Sequence, residues 1–114
     1  MRRGEIWEAS LAPRSGSEQY GKRPVVVLSN DGFNSVEEWR SVVVVPISTS
    51  ERQRARGPSS VALRRGAGGL RKSSVALCHQ ITTLDRRKLT MRWGALSAHD
   101  LQEVEEGIRA ALDL

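Results

Sequence analysis

The hydrophobic residues of this chain gather in short β-branched runs separated by turn-forming residues. Two of these runs, RPVVVLSN at 23–30 and SVVVVPIS at 41–48, are continuous rather than alternating, which is typical of strands buried on both faces. Further strands are predicted at 4–11, around Ile6 and Trp7 and closed by Pro13, and at 59–64, 73–84 and 89–96. So many short strands in 114 residues favour one small barrel domain, residues 1–114, over an open parallel sheet.

Two segments have helical features instead. Between the two long runs, DGFNSVEEW predicts one helical turn with Asn34 or Ser35 as its N-cap. Near the end, apolar residues recur at the three- and four-residue spacing of an amphipathic helix: Leu101, Val104, Ile108, Ala111 and Leu112. Ser97 followed by Asp100 resembles a capping box. We expect this helix to pack against the barrel and close it.

The charge is positive and unevenly distributed. The net charge is +5, but residues 1–99 hold 17 basic against eight acidic side chains, while 100–114 are mainly acidic. From Arg52 to Leu84 there are seven bases and no acid. Such a stretch can simply solubilise a surface. Since solubility is served best by mixed signs, it favours a polyanionic partner, most often nucleic acid.

Several classes of protein are disfavoured by the sequence. Cys78 is the only cysteine and lies in an apolar run, so it is expected to be a small buried hydrophobe. The chain has no phosphate-loop or HExxH motif and no paired His–Cys spacing, and GAGGL at 66–70 is interpreted as a flexible turn. His79 and His99 are expected to be structural rather than catalytic. We therefore expect no metal and no cofactor, and the lack of a signal-peptide or membrane-length apolar run suggests a cytoplasmic protein.

The candidate chemistry begins at Arg23. Pro24 biases Arg23 toward an extended conformation, and a guanidinium held at a strand end suits a phosphate. The preceding loop adds Gly16 and Gly21, which allow close approach to a ligand, and the titratable groups of Glu18 and Lys22. An ordinary surface arginine is the alternative.

A run of hydroxyls follows the second long strand. Ser48, Thr49 and Ser50 come where the apolar run stops, and neighbouring strands would bring them beside Arg23. Equally, they are residues that commonly end a strand in a turn.

Five segments together resemble the MazF/PemK family of toxin endoribonucleases: RRGEIW, GSEQYGKRPVVVLSND, VVVVPIST, SVALCHQITTLD and GALSAHDLQEVEEGIRAALDL. The resemblance runs nearly end to end. It implies a mainly β fold, an SH3-like small barrel of the CcdB/MazF type with a C-terminal α-helix. It also implies a homodimer, metal-independent cleavage of single-stranded RNA at a short sequence, and silencing by a MazE-like antitoxin with an acidic, disordered arm.

The family's functional residues carry over unevenly. Its arginine before proline corresponds to Arg23 and the glutamate of its Gly-Ser-Glu motif to Glu18. A position that is commonly Thr in the family is Ser48 here, followed by Thr49, and Lys22 stands where some members have His. Aligned on Gln80, the family's Arg and Asp are replaced by Leu77 and His79, which argues against a mechanism built on that pair.

The simplest metal-free reaction is attack of the RNA 2'-hydroxyl on the adjacent phosphate, giving a 2',3'-cyclic phosphate and a 5'-hydroxyl. Arginine is a poor base near neutral pH, so Arg23 is predicted to bind the reacting phosphate. Ser48 or Thr49 would donate to a phosphate oxygen. Glu18 is the proposed base and Lys22 the proposed acid.

RNA contacts are expected mainly from the loops at 13–22 and 49–58, with Tyr20 as a candidate stacking platform. The predicted RNA-binding residues are Arg14, Ser17, Gln19, Tyr20, Arg52, Arg54, Arg56, His79 and Gln80. Trp7 is expected in the core, and Trp39 and Trp93 in the core or a dimer interface.

Two alternatives stay open on the same barrel. One is a non-catalytic RNA-binding module, since fold does not fix function. The other is a CcdB-like toxin that binds a protein; CcdB uses a C-terminal Trp-Gly-Ile, whereas this chain ends RAALDL, which disfavours that interpretation.

Overall fold

The computed structural model describes residues 1–11, 16, 21–49 and 57–114, and the account below concerns these residues. The strands are β1 (Glu5–Ser10), β2 (Lys22–Val27), β3 (Ser41–Ser48), β4 (Ser60–Leu63), β5 (Ser74–Leu77), β6 (Thr82–Asp85) and β7 (Leu89–Ala95). The helices are α1 (Asp31–Asn34) and α2 (Ala98–Leu112), and three short 3-10 turns lie at 67–69, 78–80 and 86–88.

The seven strands form one antiparallel sheet in the order β4-β5-β3-β2-β1-β7, with β6 also paired to β3. Strand β3 has two partners on one side because it is long: Ser41–Val44 pair with β6, and Ile47–Ser48 pair with β5. The mainly β fold with a C-terminal helix is confirmed. In the described part of the chain, however, the ladder does not close into a ring, since β4 and β7 remain its two ends.

Strands β2 and β3 are buried on both faces, as their continuous apolar runs predict. Val26, Val45 and Ile47 belong to a cluster beneath α2 that we call the helix-side core; it also contains Leu63, Leu70 and Val104, among others. The intervening residues belong to a second cluster, the far-side core: Ala9, Leu11, Val25, Val27, Val42, Val44, Leu84 and Leu89. Successive side chains of a strand alternate between faces, so β2 and β3 each contribute to both cores.

Helix α2 covers the helix-side core. The Ser97 hydroxyl accepts a hydrogen bond from the Asp100 amide at 3.1 Å, which confirms the predicted N-cap. Cys78 lies beneath the helix, where its thiol donates to the Val104 carbonyl at 3.5 Å. Burial raises the pKa of this thiol to about 11, so Cys78 is a protonated core residue, as its apolar surroundings in the sequence suggested.

Two predicted elements differ in detail. The short helix starts earlier than expected: Asn30, not Asn34 or Ser35, is its N-cap, accepting from the Gly32 amide at 2.7 Å. Asn34 is instead buried, where its amide donates to the Ser29 carbonyl and the Asp31 carboxylate. The strand predicted at 73–84 is divided into β5 and β6 by the 3-10 turn at 78–80.

The three tryptophans have different surroundings. Trp7 is half-buried against the far-side core, close to the prediction. Trp39 is 47% exposed and stacks on Phe33 with ring centroids 4.9 Å apart, so it lies outside the core, and its place in a dimer interface stays a prediction. Trp93 is partly buried against the helix-side core.

The glycine-rich turn at 66–70 is tightly packed, which corrects its interpretation as a flexible turn. Ala67, Gly68 and Leu70 are buried. Gly69 has φ +82° and lies so close to β7 that an added Cβ would be 2.4 Å from the Trp93 carbonyl oxygen. Only glycine fits there, and the contact fixes the turn against β7.

We predict that Gly69→Ala lowers the free energy of unfolding by about 2–4 kcal/mol, because it combines left-handed strain with a backbone clash. Gly66→Ala is the matched control: Gly66 has φ +95° but open space around its Cβ position, so about 1–2 kcal/mol is expected. Urea denaturation measures both. Equal losses for the two variants would show that the turn is not held by this contact.

A buried carboxylate joins β1 to β7. Glu5 accepts hydrogen bonds from the indole of Trp7 (2.9 Å), from Arg92 Nε (2.8 Å) and from the Arg2 amide (2.9 Å). Burial by itself would raise the pKa of this carboxyl, but the hydrogen bonds from Trp7, Arg92 and Arg2 outweigh it and hold the pKa below its usual value of 4.5. The ionised form therefore stabilises the folded state.

Because the folded pKa is lowered, the stabilisation by Glu5 is present above pH 4.5 and is lost as the pH falls through that lowered pKa. We predict that Glu5→Gln is less stable than the wild type at pH 7 and that this difference shrinks below pH 4.5. Urea denaturation at a series of pH values measures it. Glu106→Gln, which breaks an exposed pair with Arg109, should cost at most about 0.5 kcal/mol. A difference that stays constant with pH would contradict the assignment.

Candidate functional site

Four of the candidate residues lie at one edge of the sheet, where β2 begins and β3 ends: Lys22, Arg23, Ser48 and Thr49. Val25 pairs with Pro46 in this antiparallel ladder, and the same register continued by two residues places Arg23 across from Ser48. On its other side Arg23 pairs with Ala9 of β1. The register is consistent with the predicted proximity of Arg23 to the end of the second long strand, which stays a prediction.

Strand alternation divides these residues between two faces. Arg23 and Ser48 are in phase with Val25, Val27, Val42 and Val44, and so lie on the far side of the sheet. Thr49 is one residue out of phase and lies on the helix side. The two hydroxyls also differ in exposure, because Ser48 is only 4% exposed whereas Thr49 is exposed.

Lys22 is exposed at the first position of β2 and is also one residue out of phase with Arg23. Its chain neighbour Gly21 closes the base of the preceding loop, since its carbonyl accepts from the Leu11 amide at 2.8 Å. Gly21 has φ +80°, a conformation that favours glycine. The backbone entering β2 is thereby fixed directly before Arg23.

A cavity of about 230 Å³ opens on the helix side of this same edge. It is lined by Pro24, Thr49, Leu70, Arg71, Lys72, Ser74 and Trp93. The Arg71 guanidinium carbon lies 4.9 Å from the centroid of the Trp93 ring, a cation–π contact. We call this cavity the edge pocket.

A second cavity, of about 440 Å³, lies between β4 and the start of α2. Its lining combines Arg64 with Asp100, whose charged groups are 3.6 Å apart, and with His99 and Glu103. The Nε2 atom of His99 is 3.7 Å from Glu103. This cavity contains none of the residues proposed for chemistry.

The PemK-like, MazF-like toxin family of type II toxin–antitoxin systems matches residues 2–112. The chain belongs to this family. It is 38% identical over 114 residues, all of this chain and 92% of the relative, to the endoribonuclease MazF of Staphylococcus saprophyticus. The prediction of an endoribonuclease is thereby confirmed at the level of the family.

Solved structures agree with this assignment. A crystal structure of MazF from Deinococcus radiodurans matches with a TM-score of 0.79 and 27% identity, covering 100% of this chain and 97% of that one. A MazE–MazF structure from the same organism matches with a TM-score of 0.74 and 26% identity, covering 100% and 96%. The predicted SH3-like fold of the CcdB/MazF type is confirmed by these neighbours.

His79 and Gln80, which were predicted to contact RNA, lie away from the Arg23 edge. Strand β5 brings Ser74 near Thr49, and the turn that carries His79 and Gln80 follows the opposite end of this strand. His79 is exposed there, whereas Leu77 is fully buried. Their contact with RNA stays a prediction.

Eight other predicted site residues lie outside the described residues: Arg14, Ser17, Glu18, Gln19, Tyr20, Arg52, Arg54 and Arg56. In the chain, one group falls between β1 and β2 and the other falls between β3 and β4. Their roles stay predictions.

Sequence analysis missed Arg71, Lys72 and Trp93 as site residues. Arg71 and Lys72 belong to the acid-free stretch, but only the packing of the glycine turn against β7 brings them beside Pro24 and Thr49. Among the described residues, no group of three or more His, Cys, Asp or Glu side chains could hold a metal ion. None of the helices in the described ranges is long and apolar enough to span a membrane.

Proposed function

We propose that this protein is a single-domain, cytoplasmic toxin that cleaves single-stranded RNA at a short sequence, without a metal ion, by attack of the 2'-hydroxyl. Cleavage of mRNA, and of rRNA or tRNA where they present the sequence, would inhibit translation and growth. The observation that carries the proposal is the register of β2 with β3, in which Val25 pairs with Pro46, because its continuation by two residues sets Arg23 across from Ser48. The edge pocket, with Arg71 and Lys72, opens on the other face of the same edge.

Arg23 binds and stabilises the reacting phosphate. Its backbone is held by the pairing with Ala9, and the following Pro24 biases it toward an extended conformation. A pre-positioned guanidinium offers several parallel donors to phosphate oxygens, and this is worth most as negative charge grows in the pentacoordinate transition state. A guanidinium is a poor proton acceptor, so the proposal assigns the role of base to another residue.

Ser48 supplies the hydroxyl on the face that Arg23 occupies, whereas Thr49 is turned toward the edge pocket. Glu18 accepts the proton of the 2'-hydroxyl, and Lys22 donates one to the leaving 5'-oxygen. Lys22 is exposed at the start of β2, where packing does not restrain its long side chain. Neither the base nor the acid needs a metal, because the nucleophile belongs to the substrate.

A MazE-like antitoxin is the proposed inhibitor and a homodimer the proposed active form. The charge supports the first: the net charge of +5 suits an acidic, disordered arm laid across the substrate site. The relative from Deinococcus radiodurans has been crystallised as a MazE–MazF assembly. Such an arm would compete with RNA for the cations at the Arg23 edge.

Arg23→Ala should lower the rate of RNA cleavage by about 10²–10³-fold or more, because the transition-state phosphate loses its charged donors. The assay uses a long unstructured RNA in EDTA, with mapping of the product ends. The wild type is expected to cut at one short motif and leave cyclic-phosphate ends, and to leave a 2'-deoxy copy of that motif uncut. Arg65→Ala, which removes an exposed arginine elsewhere, is the control and should retain cleavage.

Intact RNA in the presence of tight, salt-dependent binding would refute the nuclease and support a non-catalytic RNA-binding module. Toxicity with neither RNA cleavage nor RNA binding would instead favour a CcdB-like toxin that binds a protein.

The two adjacent hydroxyls give a sharper test of the site. Ser48→Ala should lower kcat by about 10–100-fold with little change in KM, because the lost donor acts on the transition state. Ser48→Thr keeps the hydroxyl and should retain activity. Thr49→Ala should leave kcat within about threefold of the wild type. A large loss of kcat in Thr49→Ala alone would transfer the donor role to Thr49.

A further inference from the structure

We propose that the edge pocket binds one unpaired nucleobase of the RNA, so that Arg71, Lys72 and Trp93 help to determine where the strand is cut. The inference rests on the proposed function, since it names a subsite of the same substrate. It concerns three residues outside the cleavage chemistry described above.

The size and lining of the pocket suit a single base. Its volume of about 230 Å³ lies below the roughly 300–1,000 Å³ of sites that take drug-sized ligands, so it holds one ring system rather than a whole nucleotide. Pro24, Leu70 and Trp93 supply apolar walls. A planar, weakly hydrated base gains by leaving water for such a surface, whereas a phosphate or ribose does not.

The polar groups of the pocket suit a base with its attached phosphate. Arg71 lies over the Trp93 ring, and unstacked RNA bases commonly stack on aromatic rings and on arginine guanidinium groups. Lys72 is exposed at the rim, where it can contact a phosphate. The Ser74 hydroxyl donates to the Lys72 carbonyl at 2.8 Å, so its oxygen can still accept a hydrogen bond from a base edge.

The pocket is formed before any ligand binds, because its two walls are held together by backbone contacts. Gly69 and Gly94 both lie against neighbouring backbone atoms, since an added Cβ would be 2.4 Å from the Trp93 carbonyl oxygen and 2.7 Å from the Gly68 carbonyl oxygen, respectively. Leu70 and Arg71 follow this contact directly. A preformed site loses little conformational entropy on binding, which favours selectivity for a particular base.

The location links base recognition to cleavage. Pro24 and Thr49 line the pocket, and each is the chain neighbour of a residue on the opposite face, Arg23 or Ser48. A phosphate at Arg23 and a base in the pocket therefore lie on opposite faces of the sheet, at the edge where β2 begins and β3 ends. RNA must pass around that edge to reach both, which a single strand can do and a duplex cannot.

The binding experiment uses single-stranded DNA octamers of dA, dC or dT and an abasic octamer with the same number of phosphates. The deoxy probes lack the 2'-hydroxyl, so binding is measured without cleavage. Fluorescence anisotropy of labelled probes gives the ratio of Kd for the abasic octamer to Kd for each base-containing octamer. The phosphates contribute equally to the binding of all probes, so their contribution cancels in this ratio.

Trp93→Leu should lower this ratio about tenfold for at least one base, which is the scale of one lost stacking contact. Trp93→Phe keeps an aromatic face and should retain the ratio. Because Trp93 Nε1 is buried without a hydrogen-bond partner in the described structure, the Phe variant loses no hydrogen bond there. Arg71→Ala leaves the ring in place and should also lower the ratio, so the test does not depend on how Trp93→Leu folds.

Arg65→Ala is the matched charge control. Arg65 is exposed at the other end of the glycine turn and does not line the pocket, so its loss should weaken binding of every octamer equally and leave the ratio unchanged. An unchanged ratio in both Trp93→Leu and Arg71→Ala, with thermal unfolding showing folded proteins, would overturn the pocket assignment.

Mapping of RNA cuts separates this inference from the proposed function. Cleavage at altered or relaxed positions in Trp93→Leu and Arg71→Ala supports both. Cleavage at unchanged positions and rates, with an unchanged binding ratio, leaves the nuclease standing and refutes the base subsite. A ratio that is lowered in Trp93→Leu and Arg71→Ala, together with a wild-type protein that cuts no RNA, supports the base site and refutes the nuclease.

Discussion

Burial of β3 on both of its faces is the constraint on which the rest of this structure depends. Its residues alternate between the far-side core, through Val42 and Val44, and the helix-side core, through Val45 and Ile47. A slip of one residue in its pairing would exchange the two sets and leave neither core correctly filled. The register of β3 is therefore strongly specified. It also determines the faces of the hydroxyl residues that follow the apolar run: Ser48 lies on the same face as Arg23, and Thr49 lies on the opposite face.

The basic character of the site edge comes from how the fold distributes its acids. Several arginines are paired within the described structure, such as Arg3 with Glu105, Arg92 with Glu5 and Arg64 with Asp100. Arg71 instead lies over an aromatic ring, and no carboxylate among the described residues forms an ion pair with it. Cations held on apolar surroundings attract a polyanion strongly, and the adjoining ring and proline add a surface for bases. This combination is what a single-stranded RNA site requires.

Errors in the sequence analysis fell where local patterns allow more than one structure. Asn30, Asn34 and Ser35 are all good N-cap residues. In the fold Asn30 caps the helix, while the Asn34 side chain is buried and bonds to Ser29 and Asp31. The GAGGL segment has the composition of a mobile loop. Its tight packing follows from contact with Trp93, 24 residues after Gly69 in the chain, and no local pattern contains that contact.

The sequence by itself determined the two central strands, the capped C-terminal helix, the family, and Arg23 as the first candidate for chemistry. These are encoded locally, by continuous β-branched runs, by helical periodicity and by a motif whose residues are close in the chain. The tertiary structure decided which hydroxyl shares the face of Arg23, and it placed His79 and Gln80 at the far end of β5. It also formed a pocket from Pro24, Leu70, Arg71 and Trp93. These features depend on strand register and on contacts between segments that are distant in the chain. The hydrophobic pattern of one segment does not specify such contacts, which form only when the whole chain folds.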